Sequence, residues 1–118
     1  MDDVRRAERR KAVRMRPIPE LPASAALLSD PPEPLTVSDV SAGGMALITA
    51  GSLKGAQVGR RLQLRLTMSR YGEHVIEVEV RYQIDAGITG VQFVDLQDPA
   101  KRSIWRYVAE LLERGAPS

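Results

Sequence analysis

Arginine is the side chain best fitted to an anion with a shape. Its planar fork donates paired hydrogen bonds to a phosphate or to a guanine edge, and its plane stacks on a base. Residues 1–16 hold six arginines (Arg5, Arg6, Arg9, Arg10, Arg14, Arg16) and Lys11 against three acids. This arm carries +4 and the remainder −2, for a net charge of +2. The basic character therefore belongs to an N-terminal arm on a mildly acidic body, and an anionic partner that meets the arm is implied. Arg10 and Arg14, in R-K-A-V-R, are neighbours if the arm is helical and share a face if it is extended. Arg5/Arg9 and Arg6/Arg10 have the same spacing, so spacing alone does not choose the pair.

A second stretch, "DVSAGGMAL" from Asp39 to Leu47, joins an acid and a hydroxyl to two adjacent glycines. In an extended segment Asp39 and Ser41 point the same way. Gly44 is free to take positive φ and has no Cβ to hold a neighbour off. Two readings are open. Asp39 and Ser41 bond nearby amides and merely close a hairpin turn, or they line a site with Gly43 and Gly44.

Other chemistry is poorly provided for. His74 is the single histidine and there is no cysteine, so a transition-metal site would have to be built from carboxylates around one imidazole. His74 reads as a loop or strand-end residue. "DVSAG" has Asp39 where a nucleophile elbow needs its first glycine. "GSLKGAQVG" lacks the glycine–lysine–hydroxyl order of a phosphate-binding loop. Glu77 and Glu79 read as the solvent face of a strand. No enzyme is expected, and no cofactor.

These residues must be positioned by short strands. Pro17 to Pro34 holds six prolines, which permit turns, edge strands and extended connections more readily than a central strand. Beyond it the hydrophobic period is two: "LTVSDV", "MALITA", "LQLRLTM", "VIEVEVRYQI" and "ITGVQFVDL" read as antiparallel strands. Tyr82 and Phe93 fall on their core faces. The tail turns helical, with Asp98 as N-cap, Pro99 as the first helical residue, Ile104, Val108, Leu111 and Leu112 on one face with Trp105 beside them, and Gly115 at the end. Five or six strands and one helix predict a mainly β fold: a small six-stranded, Greek-key-like antiparallel barrel that removes its own edges. The expected division of residues 1–118 is a basic arm (1–16), a barrel (17–97) and a C-terminal helix (98–115).

Taken together, R-x-x-x-R and a following D-x-S-x-x-G between strands resemble the PilZ domain, a bacterial receptor for cyclic di-GMP. "ERR" at the head of the first motif, "DVSAGGMAL", "GVQFVDL" and the closing helix agree with it, over roughly Glu8 to Leu112. The resemblance implies that Arg10 and Arg14, with Arg9 adjacent, grip the dinucleotide through its phosphates and guanine edges. It implies that Asp39, Ser41, Gly43 and Gly44 line the pocket from the barrel. Ligand would then order the arm and present a new face to a downstream protein partner. Motility, surface polysaccharide and biofilm control are the outputs usual in that family. Pro17, Pro19 and Pro22 stand where the family runs its first strand, which predicts a strand that is short, shifted or at an edge.

Two other readings compete: a small barrel that binds nucleic acid with its basic arm, and a PilZ-like adaptor that works without ligand. Against the first, the body is acidic, and the five aromatics do not interleave with bases as a stacking platform would. No DNA or RNA partner is therefore expected. The intact motifs oppose the second. No apolar run approaches the ~18 residues of a membrane span and no secretory h-region is visible, so the expected compartment is the cytoplasm, as monomer or homodimer.

Overall fold

The computed structural model of the chain describes residues 13–49, 57–84 and 87–117. Among them are six strands, β1 (Ala23–Leu27), β2 (Glu33–Val40), β3 (Gly44–Ile48), β4 (Arg61–Met68), β5 (Gly72–Ile84) and β6 (Ile88–Val94), and the helix α1 (Asp98–Glu113). All pairings are antiparallel, and they close into a barrel in the order β1-β2-β3-β6-β5-β4. β1–β2–β3 and β4–β5–β6 are each consecutive, but β4 returns beside β1 and β3 lies beside β6. Each set of three with its extra neighbour makes a Greek key.

The period-two pattern does what it predicts along β4 and most of β5. Leu64, Leu66, Met68, Ile76, Val78 and Val80 are buried inside the barrel. Glu77 and Glu79 face outward and pair with Arg61 of β4 at 3.5 and 3.9 Å. Closure leaves no free edge, so β1 is paired on both sides, with β2 and with β4. The expectation of an edge strand here is corrected. The strand fits between Pro22 and Pro31 with no proline of its own, and each of its amide donors is available to the ladder.

Helix α1 buries Ala100, Ile104, Tyr107, Val108 and Leu111 against the core. Tyr107 is fully buried; its hydroxyl donates to the Leu21 carbonyl at 2.7 Å, and its ring meets Tyr71 edge-on at 6.0 Å. The core aromatic of the helix is therefore Tyr107. Trp105 is half-buried, and Leu112 is 55 % exposed, outside the apolar stripe. The N-cap is Gln97, not Asp98. Asp98 begins the first turn, where a carboxylate faces the positive end of the helix dipole. At the other end Gly115 takes φ 71°, and the amides of Gly115 and Ala116 bond back to Leu112 and Leu111. That reverse turn needs the left-handed conformation that glycine adopts at least cost.

The end of the basic arm is built into the fold. Met15 is buried at 2 % exposure, and exchanges two backbone hydrogen bonds of 2.9 Å with Val40. The next residue, Arg16, donates its amide to the Pro117 carbonyl at 2.8 Å. Met15 and Arg16 are thus clamped between the end of β2 and the segment after the helix.

Candidate functional site

Two β-bulges shape the site. In β2 the register shifts between Val37 and Asp39, with Ser38 the extra residue; in β5 it shifts between Val80 and Tyr82, with Arg81 extra. One extra residue reverses which face the following side chains take. Val37 and Val80 point into the barrel, and Asp39 and Tyr82 therefore point out. Cross-strand pairing then places Asp39 opposite Ala46, Ala46 opposite Gly90, and Gly90 opposite Tyr82, in one row across β2, β3, β6 and β5. The two middle members are the smallest available. A Cβ on Gly90 would stand 2.2 Å from two carbons of the Tyr82 ring, so the ring lies directly on the Gly90 backbone. Tyr82 accordingly leaves the core position that its sequence parity assigned to it.

Arg14 closes the row from above. Anchored through Met15, its guanidinium donates to the Tyr82 hydroxyl at 3.0 Å and stands 3.8 Å from Asp39 Oδ1. The bond to Tyr82 raises the Arg14 pKa, partial burial opposes the rise, and the Asp39 charge adds to it. Asp39 Oδ1 is buried and has no hydrogen-bond partner. It is an acceptor held in reserve beside a cation whose side chain is still half exposed.

The glycine turn follows. The Ser41 amide and hydroxyl both donate to the Gly44 carbonyl, at 2.8 and 3.1 Å, and the hydroxyl receives the Gly43 and Gly44 amides at 3.3 and 3.2 Å. Ser41 is buried and closes its own turn, which is the plainer of the two sequence readings, whereas Asp39 takes no part in those bonds and stands beside Arg14. Gly44 does not take positive φ. Its missing Cβ serves close approach instead: a Cβ there would meet the Val91 carbonyl oxygen at 2.3 Å.

Arg14, Ser41, Gly43 and Gly44 border one open groove of about 560 Å³ on the barrel surface, with Arg81, Tyr82, Gly90, Val91 and Gln92. Asp39 adjoins it through Arg14. Arg9 and Arg10 lie outside the described residues. The β5 and β6 wall was not foreseen. One signal for it stood in the sequence: Gly90, inside an otherwise regular strand pattern, is the mark of a bulge or of a close approach. Nothing in "VEVRYQI" reveals the bulge that turns Tyr82 outward.

Among the described residues no group of three or more histidine, aspartate or glutamate side chains could hold a metal ion. His74 sits in β5 with Nε2 3.0 Å from the Tyr71 carbonyl, away from the groove. No described helix is long and apolar enough to cross a membrane.

The family model described as "PilZ domain" matches residues 5–110. No curated protein matches the sequence. Among solved structures, the Klebsiella pneumoniae MrkH–c-di-GMP complex superposes with TM-score 0.72 at 22 % identity, over 86 % of this chain and 51 % of that one. The PilZ domain of Escherichia coli YcgR with c-di-GMP superposes with TM-score 0.63 at 16 % identity, over 87 % and 91 %. Bacillus subtilis MotI, described as an inhibitor of motility, gives TM-score 0.72 at 15 % identity, over 86 % and 50 %. The chain spans about half the length of the MrkH and MotI chains it resembles.

Proposed function

The chain belongs to the PilZ family, and from that membership we propose that it is a cyclic di-GMP receptor whose ligand lies in the groove between the arm and the β2–β3 turn. The observation that carries the reading is the meeting of Arg14 with Ser41, Gly43 and Gly44 around one groove, although Arg14 and the turn are distant in sequence. Arg14, with Arg10 and Arg9 from the arm, holds phosphates and guanine edges by paired donors. Asp39 offers the carboxylate that guanine N–H groups require, and its unpartnered Oδ1 suits that role. Ser41 keeps the turn in shape, Gly43 lets a ligand approach the backbone, and Gly44 borders the groove while its missing Cβ lets β3 close on the Val91 carbonyl. The matched MrkH and YcgR structures, which contain c-di-GMP by their descriptions, support the choice of ligand.

The output follows from the arm. Binding through Arg9 and Arg10 draws the segment before Val13 against the barrel, and the altered surface is read by a protein partner. No reaction is catalysed. The test is isothermal titration with cyclic di-GMP, with GTP and a short RNA as controls, on the wild-type chain and Arg14→Ala. Saturable binding of cyclic di-GMP alone, weakened roughly tenfold to a hundredfold in the variant, is expected for one charged contact. Salt-sensitive binding to RNA with no response to cyclic di-GMP would replace this reading with the nucleic-acid one. No response to any of the three would favour a ligand-independent adaptor.

A further inference from the structure

Two motifs account for how such a site meets phosphates and hydrogen-bonding edges, but for the flat face of a base they offer only guanidinium planes, and neither supplies an aromatic surface. We infer that Tyr82 is that surface: an aromatic platform on which one guanine of the ligand stacks, in a site the motifs do not describe. The inference rests on the cyclic di-GMP reading above.

Three observations support it independently of that reading. Among the described residues Tyr82 is the one aromatic that borders the groove; Trp105 lines a different pocket, between Val13 and the helix. The ring is pushed out of the barrel by a bulge to the rim of the groove, half-buried and outside the hydrophobic core. It is also held in place before any ligand arrives. Gly90 lies beneath it with no room for even a methyl group, and Arg14 holds the hydroxyl at 3.0 Å. A fixed ring loses little rotamer freedom on binding, so more of the stacking free energy reaches the affinity. The Arg14 guanidinium and the Asp39 carboxylate stand at the hydroxyl end of the ring. A purine laid on the ring therefore presents its edge to a fork of donors and an acceptor.

The experiment is titration of the wild-type chain, Tyr82→Phe and Tyr82→Leu with cyclic di-GMP, together with intermolecular NOEs between tyrosine ring protons and guanine H8. Leucine still covers Gly90 with apolar volume but has no π face, and thermal melts of each variant report the fold. The expected result is NOE contact to one tyrosine, affinity within about threefold of wild type for phenylalanine, and a loss of roughly tenfold or more for leucine. Phenylalanine as weak as leucine would overturn stacking and leave only the hydroxyl's hold on Arg14. Wild-type affinity in both variants, or ligand bound by wild type with no ring-to-H8 contact, would overturn the platform while leaving the receptor reading intact. A wild-type chain that does not bind cyclic di-GMP would remove the reading itself and the platform with it.

Discussion

Asp39 and Arg14 are neighbours without being a strong pair. At 3.8 Å, with Arg14 half exposed, their attraction is screened, and the carboxylate oxygen is left without a hydrogen bond. Such a pair is worth little to the fold and leaves both groups available to a ligand. Asp39→Asn should therefore change unfolding free energy by less than about 1 kcal/mol in urea, while titration shows cyclic di-GMP affinity reduced roughly tenfold. A large stability loss with unchanged affinity would make Asp39 a structural residue. Tyr107 is the opposite case. Its hydroxyl is buried on the Leu21 carbonyl, and Tyr107→Phe strands that acceptor at a cost of about 1–3 kcal/mol, measurable by the same unfolding curves.

At the scale of elements, the site depends on how closely β3 and β6 approach. Gly44 removes a side chain where β3 meets the Val91 carbonyl of β6, and Gly90 removes one where β6 lies beneath the Tyr82 ring of β5. Backbone cannot yield as a flexible side chain does. Gly44→Ala should cost about 1–3 kcal/mol by chemical denaturation and disturb the β3–β6 register. Amide exchange at Val91 and Gln92 would report that disturbance; unaltered protection there would show that the strands accommodate the methyl group. The two bulges belong to this scale as well. Each lies in a strand next to the β3–β6 pair, so Asp39 and Tyr82 project from either side of that pair.

At the scale of the molecule, arm, turn and helix share one apolar pocket. Val13 adjoins Arg14, Ala42 stands between Ser41 and Gly43, and both line it with Trp105, Val108 and Leu112. On the proposed reading, ligand at the groove would pull on the backbone of two of these walls. As Trp105 is the single tryptophan, its emission, corrected for ligand absorbance, should shift as cyclic di-GMP saturates the site, and should not shift in Arg14→Ala. A constant emission at saturation would confine the change to the groove. The fold also has an alkaline limit. Burial pushes the Tyr107 pKa up, and the bond to Glu110 pushes up that of Tyr71. Both are protonated in the fold, whereas unfolded tyrosines ionise near ~10. Their stabilisation is complete below that pH and falls as pH rises above it, because the unfolded chain then releases protons first. Thermal unfolding between neutral and strongly alkaline pH should show that fall, with a shallower slope in Tyr107→Phe.

Much of this was legible from residue order alone. Alternating apolar residues in β4 and β5 announce a half-buried sheet because side-chain direction in a strand is a local property. The helix announces itself through Pro99 and Gly115 for the same reason, though its boundaries and the choice of Tyr107 over Leu112 required the packed structure. The pairing of R-x-x-x-R with D-x-S-x-x-G pointed to the family. What residue order could not provide is parity after a bulge. A strand's period says only that neighbours alternate; which set faces inward changes whenever one residue is left unpaired, and pairing is decided by the strand alongside. Asp39 and Tyr82 both follow such a residue. The outward turn of Tyr82, the row that joins it to Asp39 across Ala46 and Gly90, and the seating of Arg14 through Met15 on Val40 all rest on contacts between segments far apart in the chain. Only the closed barrel brings those segments together, and so only the tertiary structure decided them.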